Sequence, residues 1–422
     1  MNSVVLLFLI FIVLCLIRVP IAVSLGLSSI VALSMIDFTL YTVIQKMFTS
    51  INSATLMAIP GFVFAGIIMS KGGISYYLIE ALKSWVGHIR GGLAVVTILA
   101  CMVFAAISGS SPATAAAIGS IMIPGMVKAG YSKKYAMGLV AAAGTLGILI
   151  PPSIPLIIYG SVAEESVGKL FAAGVIPGIM LGGLLIVFAI INARMNDYGR
   201  LPKETMEQRM KKSTKAIWGF LLPVIILGGI YSGIVTPTEA SFLACFYGII
   251  VSVFIYKEIT FKKFREILKE SINITAMIFL VISSAMIFGM FLTTEQVPQN
   301  FALWIEDSAT NKWIFIIGVN LMLFIMGMFL EAVAIILITL PILLPVLVMF
   351  DINIIHFAII MTINMELAMI TPPVGLNLFV VSGIAKEKVG AVVKGVAPFF
   401  AIIVLALVII ILFPQISLYL AQ

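Results

Sequence analysis

Four short stretches place small polar residues, glycine and proline inside sequence that is otherwise apolar enough for a membrane. They are Gly109-Ser110-Ser111-Pro112-Ala113-Thr114, Ile150-Pro151-Pro152-Ser153, Gly327-Met328-Phe329-Leu330-Glu331 and Thr371-Pro372-Pro373-Val374-Gly375-Leu376-Asn377, the last with Glu366 one turn ahead of it. Proline has no amide proton and its ring clashes with the preceding helical turn, so each Pro-Pro pair fixes a break in a helix. A broken helix leaves carbonyl oxygens at one end and free amides at the start of the next piece. The carbonyls suit a sodium ion, which takes hard oxygen ligands, and the amide end favours an anion. Ser110, Ser111, Thr114 and Ser153 add hydroxyls in the first half, and Thr371 and Asn377 add oxygens in the second. Gly109 and Gly375 allow close backbone approach. The candidate sodium and substrate residues are therefore Gly109, Ser110, Ser111, Thr114, Ile150, Pro151, Pro152 and Ser153 in one region. In the other they are Gly327, Met328, Glu331, Glu366, Thr371, Pro372, Pro373, Gly375 and Asn377. The plain alternative is that these small residues pack tight helix interfaces, as Gly144, Gly147 and the alanines of 113–117 do.

Three carboxylates lie in apolar segments, where a charge needs a partner or a role. Glu331 at a break and Glu366 just before one suit cation coordination or proton carriage. Glu239 follows Pro237 and suits a helix cap. The methionines Met326, Met328, Met361, Met365 and Met369 read as adaptable packing at a sliding surface. There is no phosphate-binding Gly-Lys-Ser/Thr loop, so ATP hydrolysis is not expected. Cys15, Cys101 and Cys245 sit in apolar segments and suggest neither a disulfide framework nor a metal site. His88 and His356 are isolated and read as interfacial residues. Two distant histidines offer no nucleophile–base pair, which counts against an intramembrane enzyme.

The elements that must position these groups are membrane helices. The mean hydropathy is +1.22, with 62% hydrophobic and only 10% charged residues, so a polytopic, all-α membrane protein is expected rather than a nucleic-acid binder, despite a net charge of +7. The start of the chain reads as a first helix, without the basic region and cleavage site of a signal peptide. Spans are expected at 3–17, 21–36 and 54–70, with 38–52 at an interface and 74–88 as an amphipathic surface helix. Residues 92–127 read as a re-entrant hairpin with its tip at 109–112, and 134–162 as a helix broken at the Pro-Pro pair. A span at 170–193 leads to the loop 194–217, which carries seven basic residues against three acids and is read as a cytoplasmic linker. Spans follow at 218–233, 238–256 and 272–292, with 257–270 a basic cytoplasmic segment and 293–311 an acidic outer one. A second hairpin (312–349), a second broken helix (355–385), a last span (391–413) and a tail (414–422) complete the chain.

The two halves repeat one plan. At an offset of 221, Pro124 pairs with Pro345, Pro151-Pro152 with Pro372-Pro373, Ser161 with Ser382, and Gly174 and Pro177 with Gly395 and Pro398. Five crossings and one re-entrant hairpin per half invert the second half relative to the first. With both termini outside, only Lys46, Lys169 and Lys312 of the 25 basic residues fall on the outer side. Inverted repeats with broken helices and a midplane site describe secondary transporters.

At this point the residues resemble a known family. GSSPATAAAIGSIMIP at 109–124 and GILIPPSIPLIIYG at 147–160 look like the large membrane subunit of TRAP transporters. So do GIVTPTEA (233–240), MGMFLEAVAIILITLPILLPV (326–346) and MITPPVGLNLFV (369–380). The resemblance implies a sodium-driven importer of an organic anion, often a dicarboxylate or sialic acid, in the bacterial inner membrane. Sodium is the coupling ion and no cofactor is implied. The partners implied are an extracytoplasmic substrate-binding protein and a small four-helix membrane subunit; because the chain begins directly at the large subunit, a separate small subunit is expected. It also implies an elevator fold. The scaffold would be 1–91 and 218–311, and the transport domain 92–193 and 312–413, joined by the loop 194–217. Ion sites would lie between each hairpin tip and the adjacent break. Related symporters carry Ser-Asn-Thr at both tips, whereas the second tip here is Met328-Phe329-Leu330-Glu331, so a second ion site must use other ligands. The alternatives are a stand-alone sodium/carboxylate symporter of the same broad fold and, from a different class, an intramembrane enzyme or scaffold.

Overall fold

A chain this apolar satisfies its backbone within helices, because the hydrocarbon offers no water to its amides and carbonyls. The computed structural model describes residues 3–36, 38–196, 198–308 and 311–421, and every regular element in them is helical. Asp197 of the expected basic loop, Ala309 and Thr310 of the expected outer segment, and Met1, Asn2, Asp37 and Gln422 lie outside the described residues.

In the first half, α1 (Ser3–Leu16) and α2 (Ile21–Ser34) meet at the turn before Pro20. Helix α3 (Leu40–Ile51) buries only Val43, as suits an interfacial position. Helices α4 (Ala58–Lys71) and α5 (Ile74–Val86) are bent by 61° at Gly72-Gly73. One face of α5 buries Ile74, Leu78, Ile79 and Ala81, while Tyr76 and Trp85 are exposed. The hairpin is α6 (Gly92–Ser108) and α7 (Ser111–Lys128), and the broken helix is α8 (Lys133–Thr145) with α9 (Ile154–Ala163). Helix α10 (Val167–Met195) follows.

The second half has α11 (Met206–Tyr231), α12 (Pro237–Ile249) running on into a π-helical segment Ile250–Ile255, α13 (Phe261–Thr294) and α14 (Val297–Asp307). Then come the hairpin α15 (Lys312–Gly327) and α16 (Ala332–Met349), the broken helix α17 (Ile354–Met369) and α18 (Leu376–Ala385), α19 (Val389–Leu412) and the short α20 (Gln415–Leu418) within the tail. The boundaries of α7 and α16, and the starts of α8 and α17, are spaced by the same 221 residues as the proline pairs. One correspondence differs in kind. Residues 40–71 form two helices, α3 and α4, but the stretch 221 residues later is the single 34-residue helix α13.

Three expectations need correction. The span expected at 272–292 starts earlier: from Phe261 the basic segment ahead of it is already the first part of α13. At 1.5 Å per residue that helix runs about 51 Å, against about 30 Å of hydrocarbon, so its charged end belongs outside the apolar layer. The linker 194–217 is likewise helical from Met206, where Thr205 and Gln208 form a capping box. Ahead of it, residues 198–201 are strapped down: Leu201 N–H donates to Gly87 O (3.1 Å) and the Tyr198 ring stacks on Tyr131 at 4.4 Å. Third, His356 is not isolated: it is buried, with Nδ1 2.6 Å from Ser417 Oγ.

Six helices among the described residues are long and apolar enough to cross a membrane, or seven if α4 and α5 count as one bent span. The discontinuous helices fail that test piece by piece, since each piece covers only part of the thickness. Close packing holds them in place. A Cβ built on Gly138 of α8 would lie 2.0 Å from Gly395 O of α19, and one on Gly395 would lie 2.1 Å from Lys134 O. Only glycine permits that crossing. Among the described residues the ion pairs are Lys71–Glu270, Lys83–Glu80, Lys212–Glu80, Lys212–Glu204 and Lys133–Glu387. All lie in segments that the charge pattern assigns to one side.

Candidate functional site

The first hairpin tip is built by two residues between helices. Gly109 ends α6 in the left-handed conformation (φ 59°), and Ser110 is extended. A Cβ on Gly109 would lie 2.7 Å from Pro152 O, so this position demands glycine both for its backbone angle and for its contact. Ile154 N–H donates to Gly109 O at 3.3 Å, which binds the tip to the first break. The hydroxyls are largely committed. Thr114 Oγ1 donates to Ser110 O (2.9 Å) and lies 2.8 Å from Ser108 Oγ. Ser153 caps α9 by accepting from Leu156 N–H (3.4 Å), and its own hydroxyl donates to Ile148 O at 2.5 Å. Thr114 and Ser153 thus first serve to shape the tip and the break.

The second tip is built alike from different residues. Met328 ends α15, Glu331 precedes α16, and Val374 N–H donates to Met328 O at 3.1 Å. Gly327 lies against Ala368 of α17, where a Cβ would approach the Ala368 Cβ to 2.4 Å. Gly375 opens α18 in the left-handed conformation (φ 51°), with no side chain capping the helix. Thr371 Oγ1 donates back to Leu367 O (2.6 Å). Both proline pairs, Pro151-Pro152 and Pro372-Pro373, contain a cis peptide bond.

One contact joins the two regions. Asn377 Nδ2 donates to Ser111 Oγ (2.8 Å) and to Ala141 O (3.0 Å), and Ser111 Oγ lies 3.1 Å from Asn377 Oδ1. Both side chains are fully buried. A cavity of about 110 Å³ opens beside this contact. It is lined by Ser108, Gly109, Ser110 and Ser111 from the first tip and by Glu331 from the second, with Met369 at the end of α17. Its far wall is Gly66 and Ile67 of α4 and Met277 of α13. The cavity therefore gathers Gly109, Ser110, Ser111 and Glu331. Ile150, Pro151, Pro152, Ser153, Thr114, Gly327, Met328, Thr371, Pro372, Pro373, Gly375, Asn377 and Glu366 stand behind or away from its lining.

Glu366 is placed differently from Glu331. It is wholly buried in α17, with Thr145 at the end of α8 beside it, and among the described residues no donor meets hydrogen-bond geometry at either carboxyl oxygen. An unpaired buried carboxylate is strongly unfavourable, so an ionised Glu366 calls for a cation at that place. The oxygens identified there are the Glu366 carboxylate and the neighbouring Thr145 hydroxyl, both hard donors. Glu239, in contrast, forms a capping box with Thr236, accepting from its N–H at 2.8 Å while Glu239 N–H donates to Thr236 Oγ1. That is the capping role its place after Pro237 suggests. No group of three or more His, Cys, Asp or Glu among the described residues could hold a metal ion.

Two participants were not picked out from sequence. Ser108 lines the cavity and holds Thr114, one residue before the polar cluster 109–114. Thr145 meets Glu366 across helices, a pairing with no local signal in the chain.

The family model described as "Tripartite ATP-independent periplasmic transporter, DctM component" matches residues 8–416. The C4-dicarboxylate TRAP transporter large permease protein DctM of Pseudomonas aeruginosa is 46% identical over 398 residues, covering 94% of this chain and 93% of that protein. The sialic acid TRAP transporter large permease protein SiaM of Vibrio cholerae is 36% identical over 378 residues, covering 90% and 88%. Among solved structures, the Alcanivorax borkumensis YdaH transporter matches with a TM-score of 0.67 over 99% of this chain and 100% of that one, at 14% identity, which is a likeness of fold alone.

Proposed function

The chain belongs to the DctM family of tripartite ATP-independent periplasmic transporters, and on that premise we propose that it imports an organic acid on a sodium gradient by an elevator movement. As a multi-pass permease subunit it is a transporter component and not an enzyme, which removes the enzyme and scaffold alternative. The observation that carries the reading is the cavity between the two hairpins and the α4–α13 wall, lined by tip 1 and by Glu331. A C4-dicarboxylate is the first candidate substrate, on the strength of the DctM relative, and sialic acid is the second. The inverted repeats carry the site. In this reading 92–193 and 312–413 move, while 1–91 and 218–311 stay fixed and hold a small four-helix subunit. A binding protein delivers the anion from outside the inner membrane, the side on which both termini lie. The anion meets the tip amides and the hydroxyls of Ser110 and Ser111. Sodium is held by carbonyls at the breaks and by Glu331 or Glu366, which offsets the charge of a carboxylate near an anion.

The test is uptake into proteoliposomes holding this chain and its small partner. Malate, succinate, fumarate and sialic acid are supplied with and without an inward sodium gradient and the binding protein. Uptake that needs both is the expected result. Sodium-driven uptake without the binding protein would instead identify a stand-alone symporter, and gradient-independent uptake would sink the coupling.

A further inference from the structure

The first turns of α13 carry an unpaired basic face that leads into an apolar groove. Lys262, Arg265 and Lys269 are exposed, line one crevice with Phe261 and Glu266, and form no ion pair among the described residues. The nearest acidic residue along the helix beyond Glu266, Glu270, is taken by Lys71 and does not neutralise them. Three cations against the one carboxylate of Glu266 leave this crevice net positive. Phe261, with 79% of its surface exposed, stands at its edge.

The groove begins within a turn of these cations. Leu268, Ile272, Thr275, Ala276 and Phe279 of α13 form one wall, and Phe64 of α4 and Phe242 of α12 face them. From Leu268 to Phe279 is about 16 Å along the axis. At 3.6 residues per turn, Arg265 projects within about 20° of Ile272 and Ala276, so its guanidinium stands over the groove. An apolar slot alone would be ordinary lipid-facing surface. A slot with Arg265 over its end and Lys262 and Lys269 on the adjoining face of α13 has a polarity complementary to one amphiphile, an anionic head on an apolar tail.

We propose that this groove is a binding site for an anionic phospholipid, its phosphate on Lys262, Arg265 and Lys269 and one acyl chain along α13 between Phe64 and Phe242. Guanidinium and ammonium groups grip a phosphate with charge-assisted hydrogen bonds, while the slot supplies area for the chain. The site lies on the outer surface of the α4–α12–α13 layer, away from the cavity at the hairpin tips, and does not depend on how transport is coupled.

The test is native mass spectrometry of the full chain, purified in detergent and offered dioleoyl phosphatidylglycerol or dioleoyl phosphatidylethanolamine. Phosphatidylglycerol should be retained preferentially. Combining Lys262→Gln, Arg265→Gln and Lys269→Gln should weaken that retention by roughly fivefold per cation, leaving phosphatidylethanolamine unchanged. Ala276→Trp, at an exposed position, should fill the slot and also displace the lipid. Equal retention of both lipids, or an unchanged phosphatidylglycerol signal in either variant, overturns the site. So does competition by inorganic phosphate with no effect of Ala276→Trp, which would mean a headgroup patch without a groove. Ultraviolet cross-linking from a photoreactive residue at 276 in whole membranes separates the remaining occupant: an adduct with a membrane protein in place of lipid overturns the proposal. Unchanged elution and melting of the variants shows that they fold.

Discussion

Ile150 to Ile154 at the first break are all buried, whereas Pro372, Pro373 and Val374 at the second are exposed, although both breaks carry the same proline pair. The tips differ in the same direction. The first is held by the hydroxyls of Ser108 and Thr114 and the backbone carbonyl of Ser110, whereas the second offers Met328, Phe329 and the Glu331 carboxyl. Each tip nevertheless accepts one amide from its own break, through Gly109 O and Met328 O. The backbone plan is therefore shared, and the side chains assign different tasks to its two copies. One copy is a sealed structural joint beside a cavity. The other is an open joint with a carboxylate.

The largest effect is expected where that sealing is tightest. Gly109→Ala adds a Cβ 2.7 Å from Pro152 O at φ 59°, which should cost about 1–3 kcal/mol in backbone strain and abolish uptake. Gly375→Ala meets a similar backbone angle (φ 51°) and Thr371 O at 2.7 Å, but beside exposed chain that can yield. Thermal unfolding in detergent should show the smaller loss at Gly375, and equal losses would erase the contrast between the joints. Next is Glu331→Gln, which should weaken the sodium dependence of uptake about tenfold, equivalent to about 1.4 kcal/mol, with expression near normal. Unchanged sodium dependence removes Glu331 from coupling. Asn377→Ala cuts the bond between the two regions and leaves Ser111 Oγ and Ala141 O short of a donor, for a loss of about 1–3 kcal/mol. Ser111→Ala should be milder, because the hydroxyl leaves together with its own demand; a reversal of that order would count against the bond. The smallest change is Ser153→Ala, which removes a helix cap worth about 1 kcal/mol, lowers the melting temperature slightly and leaves substrate affinity unchanged.

The proline pairs, the polar tip at 109–114 and the apolar helices were legible in the chain because each is a local signal. Glycine, proline and small hydroxyl residues in a hydrophobic run mark their own positions. What was not legible depends on partners far away in sequence. Ser111 meets Asn377 and Thr145 lies beside Glu366 only after the two halves pack. The basic run 257–270 stands apart from the span at 272–292 in the sequence because its charge ends the apolar stretch, but α13 simply continues beyond the apolar layer. Residues 206–217 misled in the same way: the capping box at Thr205 starts a helix well before its apolar part.

The unequal treatment of 40–71 and α13 has a mechanical consequence. A single helix of 34 residues behaves as a strut, in which displacement at one end is carried to the other. The stretch 40–71 is instead two helices parted at 52–57, with no single ladder of backbone hydrogen bonds along its length. Ser283 of α13 donates to Met47 O of α3, and Glu270 of α13 pairs with Lys71 of α4, so the continuous helix splints both pieces of the interrupted one.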